Sequence, residues 1–178
     1  MDVPSVVELR GEQVLLRSYQ PDELDIAYEQ ARSSTARVGE LSAERMRLRV
    51  ARSGRFVEGR LDLAVVSAGR IVGSIEARAP EGALPPGVCE IGVELVPEAR
   101  GGGLGTEAVA LLTLHLLSNG FVRVQASTGA SNVAMRGALE NAGFRLEGTL
   151  RGYMPNGAAR TDGVLYALTA SDLSSLRP

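Results

Sequence analysis

Hydrophobic and polar positions alternate over short stretches of the chain, and turn residues separate those stretches into a succession of strands and helices. Residues 13–19 (QVLLRSY) alternate and predict a first strand. Pro21, followed by Asp22 and Glu23, predicts a helix start, with the helix running to about Arg32. Ser42 is placed as the N-cap of a second helix over 42–52, although MRLRVA inside it also alternates with a period of two. Residues 61–67 and 70–78 flank Ala68-Gly69 as a hairpin. PEGALPPG, 80–87, is a loop, and 88–96 is a strand. A helix over 104–119 stops at Gly120. A strand over 121–127, a helix over 132–141 ending at Gly143, and an antiparallel pair over 144–154 and 161–169 around Asn156-Gly157 complete the chain. The order β-α-α-β-β-β-α-β-α-β-β implies an α+β (mixed α/β) fold: a mixed sheet of seven strands with helices on its faces. No repeat or linker divides residues 1–178, and the length fits one domain.

Composition narrows the chemistry. Charged residues make up 22% and hydrophobic residues 44%, as in ordinary globular chains. No apolar run is long enough for a membrane span and no secretion signal opens the chain, so no membrane partner and a cytoplasmic location are expected. One cysteine, Cys89, and one histidine, His115, cannot assemble a His/Cys zinc site, and no metal is expected. Both fall in apolar stretches and read as packed residues. All 19 basic residues are arginine, which excludes a lysine Schiff base and a P-loop lysine. Between Arg32 and Arg60, eight arginines face three glutamates, a local +5 in a chain of net −2. This segment reads either as a solvated helix with ion pairs or as a wall attracting an acidic partner. It lacks interleaved aromatic residues, so nucleic-acid binding is not expected.

The most informative stretch is a strand, then PEARGGGLGTEA, then a helix. Cys89, Ile91, Val93 and Leu95 point to one side of the strand, Glu90, Gly92 and Glu94 to the other. Gly101, Gly102, Gly103 and Gly105 crowd the helix start, where bare N–H groups admit phosphate oxygens, and Arg100 adds a charged fork. The P-loop pattern fails at Thr106. The dinucleotide pattern G-x-G-x-x-A fits Gly103, Gly105 and Ala108. However, Pro97 to Arg100 intervene between its strand and the glycines, and VRVQAST supplies no ribose-binding acid. A purely structural glycine turn is the other reading.

RGGGLG, starting at Arg100, resembles the acyl-CoA pyrophosphate motif of the GNAT acetyltransferases. CEIGVELVPEARGGGLGTEA and NVAMRGALENAGFRLEGTLRG look like their ribosomal-protein N-terminal and small-molecule acetyltransferase subfamily. The resemblance spans nearly the whole chain and is weakest over 32–60. It implies a single GNAT-like domain whose mostly antiparallel sheet splays at two central strands, with acetyl-CoA or another acyl-CoA in the gap. The pantetheine arm would take backbone hydrogen bonds from Leu95 and Val96. The pyrophosphate would sit on the N–H groups of Gly101, Gly102, Gly103, Leu104, Gly105 and Thr106. Asn132 would touch the arm or its acyl end. Arg136, one turn further along its helix, either reaches a CoA phosphate or is a solvated charge.

The resemblance also implies direct attack of a primary amine, from a protein N-terminus or a small molecule, on the thioester. Glu90 matches the family's frequent glutamate and is the expected base, with Glu94 second; the competing reading is a glutamate paired to an arginine or to solvent. The usual proton donors are replaced by Met135 and Leu139, which lie four apart and are expected to face the thioester together. Thr128, Ser131 or Tyr153 are substitutes. The departure leaves open a CoA-binding module with little catalysis. A homodimer is the expected assembly.

Overall fold

The computed structural model describes residues 6–33 and 42–174. One sheet of eight strands runs in the order β1-β2-β3-β4-β5-β6-β8-β7. The strands are β1 (Leu9–Arg10), β2 (Leu15–Arg17), β3 (Arg60–Ser67), β4 (Arg70–Arg78), β5 (Val88–Leu95), β6 (Arg123–Gly129), β7 (Arg145–Asn156) and β8 (Ala159–Thr169). Every neighbouring pair is antiparallel except β5 with β6. The eighth strand, β1, has two residues, too few to carry an alternating pattern. The helices are α1 (Leu24–Ser33), α2 (Ala43–Arg52), α3 (Leu104–Ser118), α4 (Val133–Asn141) and a short α5 (Ala170–Ser174), which follows β8 without a break.

The sheet divides the core in two. Leu61, Leu63 and Val65 of β3 pack with Ala108, Val109, Leu112 and Leu116 of α3 and with Leu139 of α4. Ala64 and Val66, pointing the other way, pack with Ala27 of α1 and with Met46 and Val50 of α2. A strand covered on both faces loses the polar half of its alternation, and LDLAVV shows this. Asp62, the one charged residue of that run, is buried but held by Arg49 Nε and Arg60 Nε, each at 2.7 Å. The MRLRVA ambiguity resolves as helix. Ser42 accepts a hydrogen bond from the Arg45 N–H at 3.2 Å, and Met46 and Val50, one turn apart, share the buried face.

β5 and β6 are paired only at Val88–Arg123, Cys89–Val124 and Glu90–Gln125. Beyond that point they part, and both strands run on. The only parallel junction of the sheet therefore opens into a gap, with the glycine-rich turn and the start of α3 at its open end.

Candidate active site

The turn at the mouth of the gap holds its backbone open. Gly101 and Gly103 have φ of +83° and +85°, a region that side chains disfavour. A Cβ on Gly101, Gly102 or Gly103 would meet nothing within 4 Å, so the turn offers open space rather than a packed corner. Gly103 caps α3, and its carbonyl accepts from the Glu107 N–H at 3.0 Å. Among the described residues, the N–H groups of Gly101, Gly102, Gly103, Leu104, Gly105 and Thr106 have no backbone acceptor. Unfilled donors at the positive end of a helix suit phosphate oxygens. Arg100 is exposed and folds back to donate from Nε to the Leu95 carbonyl at 2.9 Å.

The strand end carries a correction. Val96 donates its N–H to the Val72 carbonyl at 2.9 Å, and its own carbonyl accepts from Ala99 at 3.0 Å. The Val96 N–H is thus taken and its carbonyl already accepts one bond, as the Leu95 carbonyl does from Arg100. Alternation along the ladder then turns the backbone groups of Val93 and Leu95 toward the gap.

Glu90 stands where β5 and β6 part. Its side chain is 21% exposed, and its Oε1 accepts from Arg78 Nη2 and from Ser127 Oγ, both at 3.2 Å. The pairing with an arginine and the position in the gap are therefore both present. Arg78 also lies 3.4 Å from Glu76, which is bonded to Arg60, so alternating charges run from Arg49 on α2 across to Glu90. This accounts for part of the basic segment: Arg49, Arg52 and Arg60 are all in ion pairs. Arg37 and Glu40 lie outside the described residues. Glu94 is half-buried on the same face of β5.

Asn132 is the N-cap of α4. Its Oδ1 accepts from the Met135 N–H at 3.2 Å and its Nδ2 donates to Thr128 Oγ1 at 3.1 Å, so it fastens the turn from β6 into α4. Arg136 donates from Nε to the Tyr166 hydroxyl and from Nη1 to the Ala130 carbonyl, both at 3.2 Å. Tyr166, fully buried, donates its hydroxyl to Glu140 Oε1 at 2.7 Å. Arg136 is therefore tied to the sheet rather than loose in solvent.

The expectation that Met135 and Leu139 face the thioester together is overturned. Leu139 has no exposed surface and belongs to the core under α3, and Met135 packs partly buried against the same core. Among the substitutes, Ser131 is exposed and Thr128 is buried. Tyr153 is 48% exposed and lies over Gly163 beside the Thr128 carbonyl. Burial pushes the Cys89 thiol up to about 12, which leaves it uncharged and unreactive near neutral pH. Burial also pulls His115 below its ordinary value, at the last turn of α3 and about 16 Å along the helix from the glycine turn.

The sequence did not single out Ser127, Arg78 or Tyr166. The signal for Ser127 is the alternation of β6, where Val124, Ala126 and Thr128 are buried while Gln125 and Ser127 share the other face. A hollow of about 490 Å³, lined by Asp25, Ile26, Glu29, Gln30, Ile71 and Val96, lies between α1 and the ends of β4 and β5. Another of about 350 Å³, lined by Tyr19, Leu24, Arg47 and Arg55 among others, includes no residue of β5 or β6. Among the described residues no cluster of His, Cys, Asp and Glu could hold a metal, and no helix is long and apolar enough to cross a membrane.

A family model described as an acetyltransferase (GNAT) domain matches residues 2–145. No curated protein is significantly similar to the chain in sequence. Among solved structures, a GNAT-family acetyltransferase from Bacillus anthracis is 21% identical with a TM-score of 0.74, over 93% of this chain and 99% of that one. RimL, a ribosomal L7/L12 α-N-protein acetyltransferase solved with coenzyme A, is 14% identical with a TM-score of 0.75, over 93% and 99%. RimJ from Mycobacterium smegmatis, solved with a CoA disulfide, is 22% identical with a TM-score of 0.73, over 97% and 89%.

Proposed function

We propose, on the premise that the chain belongs to the GNAT acetyltransferase family, that it moves an acetyl group from acetyl-CoA to a primary amine by direct attack, within one domain. The observation that carries this reading is the junction of a gap and a turn: β5 and β6 part after Glu90–Gln125, and the unfilled amides of 101–106 stand at the open end. The turn suits the pyrophosphate. The backbone of Val93 and Leu95 suits the pantetheine arm, which would lie along β5 in the place of a missing strand partner. Bound there, acetyl-CoA supplies the activated acyl carbon.

Glu90 is the base in this reading. It faces the gap, and Arg78 and Ser127 fix its orientation. A positioned carboxylate that takes the amine proton contributes about 10²–10⁴-fold to the rate. Asn132 acts on the site indirectly, by holding the start of α4. The partly exposed carboxylate of Glu90 suits a basic amine as acceptor. A protein N-terminus and a small-molecule amine both meet that description. The working unit in this reading is a cytoplasmic homodimer. The buried free thiol of Cys89 suits a reducing compartment, and sedimentation checks the assembly.

The test is calorimetry with acetyl-CoA, paired with a Gly105→Val variant. Gly105 is helical, and a Cβ there meets only Leu95 Cδ1 at 3.6 Å, so the fold tolerates the change. The wild type should bind at micromolar concentration or better. The variant should bind at least about tenfold more weakly, a loss of about 1.4 kcal/mol. Equal binding by the two proteins would remove the turn from the site.

A further inference from the structure

We infer that Ser127 is a catalytic residue whose hydroxyl carries a proton from the acceptor nitrogen to Glu90 and back to the departing sulfur. The inference rests on the acyl-transfer reading above and supplies the proton donor that Met135 and Leu139 cannot provide.

Three observations support it. Ser127 Oγ donates to Glu90 Oε1 at 3.2 Å, a contact between residues 37 apart in sequence, made from two residues past the last ladder pair, Glu90–Gln125. Gln125 is the last residue of β6 paired with β5, and Ser127, two residues on and on the same face, borders the gap itself. The other hydroxyl near this point on the α4 side, that of Thr128, is buried and already accepts from Asn132 Nδ2 at 3.1 Å. Ser127 has no second partner among the described hydrogen bonds, which leaves its lone pairs open toward the gap. Arg78 also donates to Glu90 Oε1 and holds the carboxylate in place.

The step balances with no further reactant. The acceptor ammonium first loses one proton to solvent; the neutral amine nitrogen then forms a bond to the thioester carbon, and the carbonyl π pair moves onto oxygen. The nitrogen gives its proton to Ser127 Oγ as the Ser127 proton passes to the Glu90 carboxylate. When the oxygen pair returns, the carbon–sulfur bond breaks with its electrons on sulfur. The proton then travels from Glu90 through Ser127 to that sulfur. The products are an amide and a free thiol, with both side chains restored. A hydroxyl serves both legs because it donates and accepts at once, and one relay thus does the work of a separate base and acid.

The experiment uses acetyl-CoA and the best acceptor from a panel of tetrapeptides with free N-termini and aliphatic diamines, with thiol release followed directly. It compares wild type, Ser127→Ala, Ser127→Thr, Glu90→Gln and the double variant, with acetyl-CoA affinity from calorimetry and melting temperature beside the rates. The expected result is that Ser127→Ala lowers kcat about 10²-fold, while acetyl-CoA affinity stays within about twofold and the melting temperature holds. Ser127→Thr should recover most of the rate, and the double variant should be no slower than Glu90→Gln alone, as for groups that act as one unit. A wild-type rate in Ser127→Ala, or losses that multiply in the double variant, would overturn the relay while leaving acyl transfer intact. A wild type that binds acetyl-CoA but acylates no member of the panel would overturn the acyl-transfer reading, and the relay with it.

Discussion

Gly73 of β4 lies directly opposite Leu95 at the end of β5, with no room for a side chain between the strands. A Cβ on Gly73 would stand 2.1 Å from the Glu94 carbonyl oxygen and 2.7 Å from Leu95 Cδ2. The obstructing atom is backbone, so β5 itself would have to move. That strand end borders the gap, which links a glycine outside the turn to ligand binding.

Gly73→Ala should therefore cost about 1–3 kcal/mol of stability, the usual range for overpacking. It should also weaken acetyl-CoA binding, because the backbone of Leu95 shifts with β5. Urea denaturation and calorimetry on the same preparation test both. Loss of stability with unchanged affinity would separate this pinch from the site.

Glu90→Gln should lower kcat by about 10²–10⁴-fold while acetyl-CoA affinity changes little, because the side chain faces Arg78 and Ser127 rather than the glycine turn. The deficit should persist as pH rises, because Glu90 takes its proton from the nitrogen that attacks the thioester and not from the ammonium in solution. An undiminished rate at neutral pH would move attention to Glu94.

Leu139→Tyr should not supply a proton donor. Leu139 is fully buried between α4 and the sheet, and a phenol added there overpacks the core at a cost of about 1–3 kcal/mol. The expected outcome is a lower melting temperature and no gain in kcat. A faster enzyme would show that the hydroxyl reaches the gap.

Acid stability should depend on Glu23. Arg17 donates to both of its carboxylate oxygens, at 2.7 and 2.8 Å, and the Gln20 N–H donates at 2.7 Å. The Arg17 pairing is the main reason the carboxyl titrates below its usual value of 4.5. A native value below the unfolded one stabilises the fold at pH above about 4.5, and that stabilisation fades as pH falls through the lower native value. Glu23→Gln should therefore cost about 1–3 kcal/mol at neutral pH, the scale of hydrogen bonds to a charged group. Wild type and variant should converge in stability once the native carboxylate is protonated. Urea midpoints measured from pH 7 downward check this, and a gap that persists in acid would point to packing instead.

The sequence by itself determined most of the elements and the glycine-rich turn, because both are local. A period of 2 set Cys89 and Ile91 on one side of β5 and Glu90 and Glu94 on the other, and the glycines after Arg100 required an open turn at a helix start whatever the rest of the chain did. The tertiary structure decided everything that depends on strand order and register. Parallel pairing of β5 with β6 stops after Glu90–Gln125, and no local pattern encodes where two distant strands part. That parting sets Ser127 beside Glu90, while the ladder with β4 takes the Val96 N–H and turns the backbone of Leu95 toward the gap. The same dependence explains Leu139. Helical spacing groups it with Met135, but packing against the sheet determines how deep each lies, and Leu139 is part of the core.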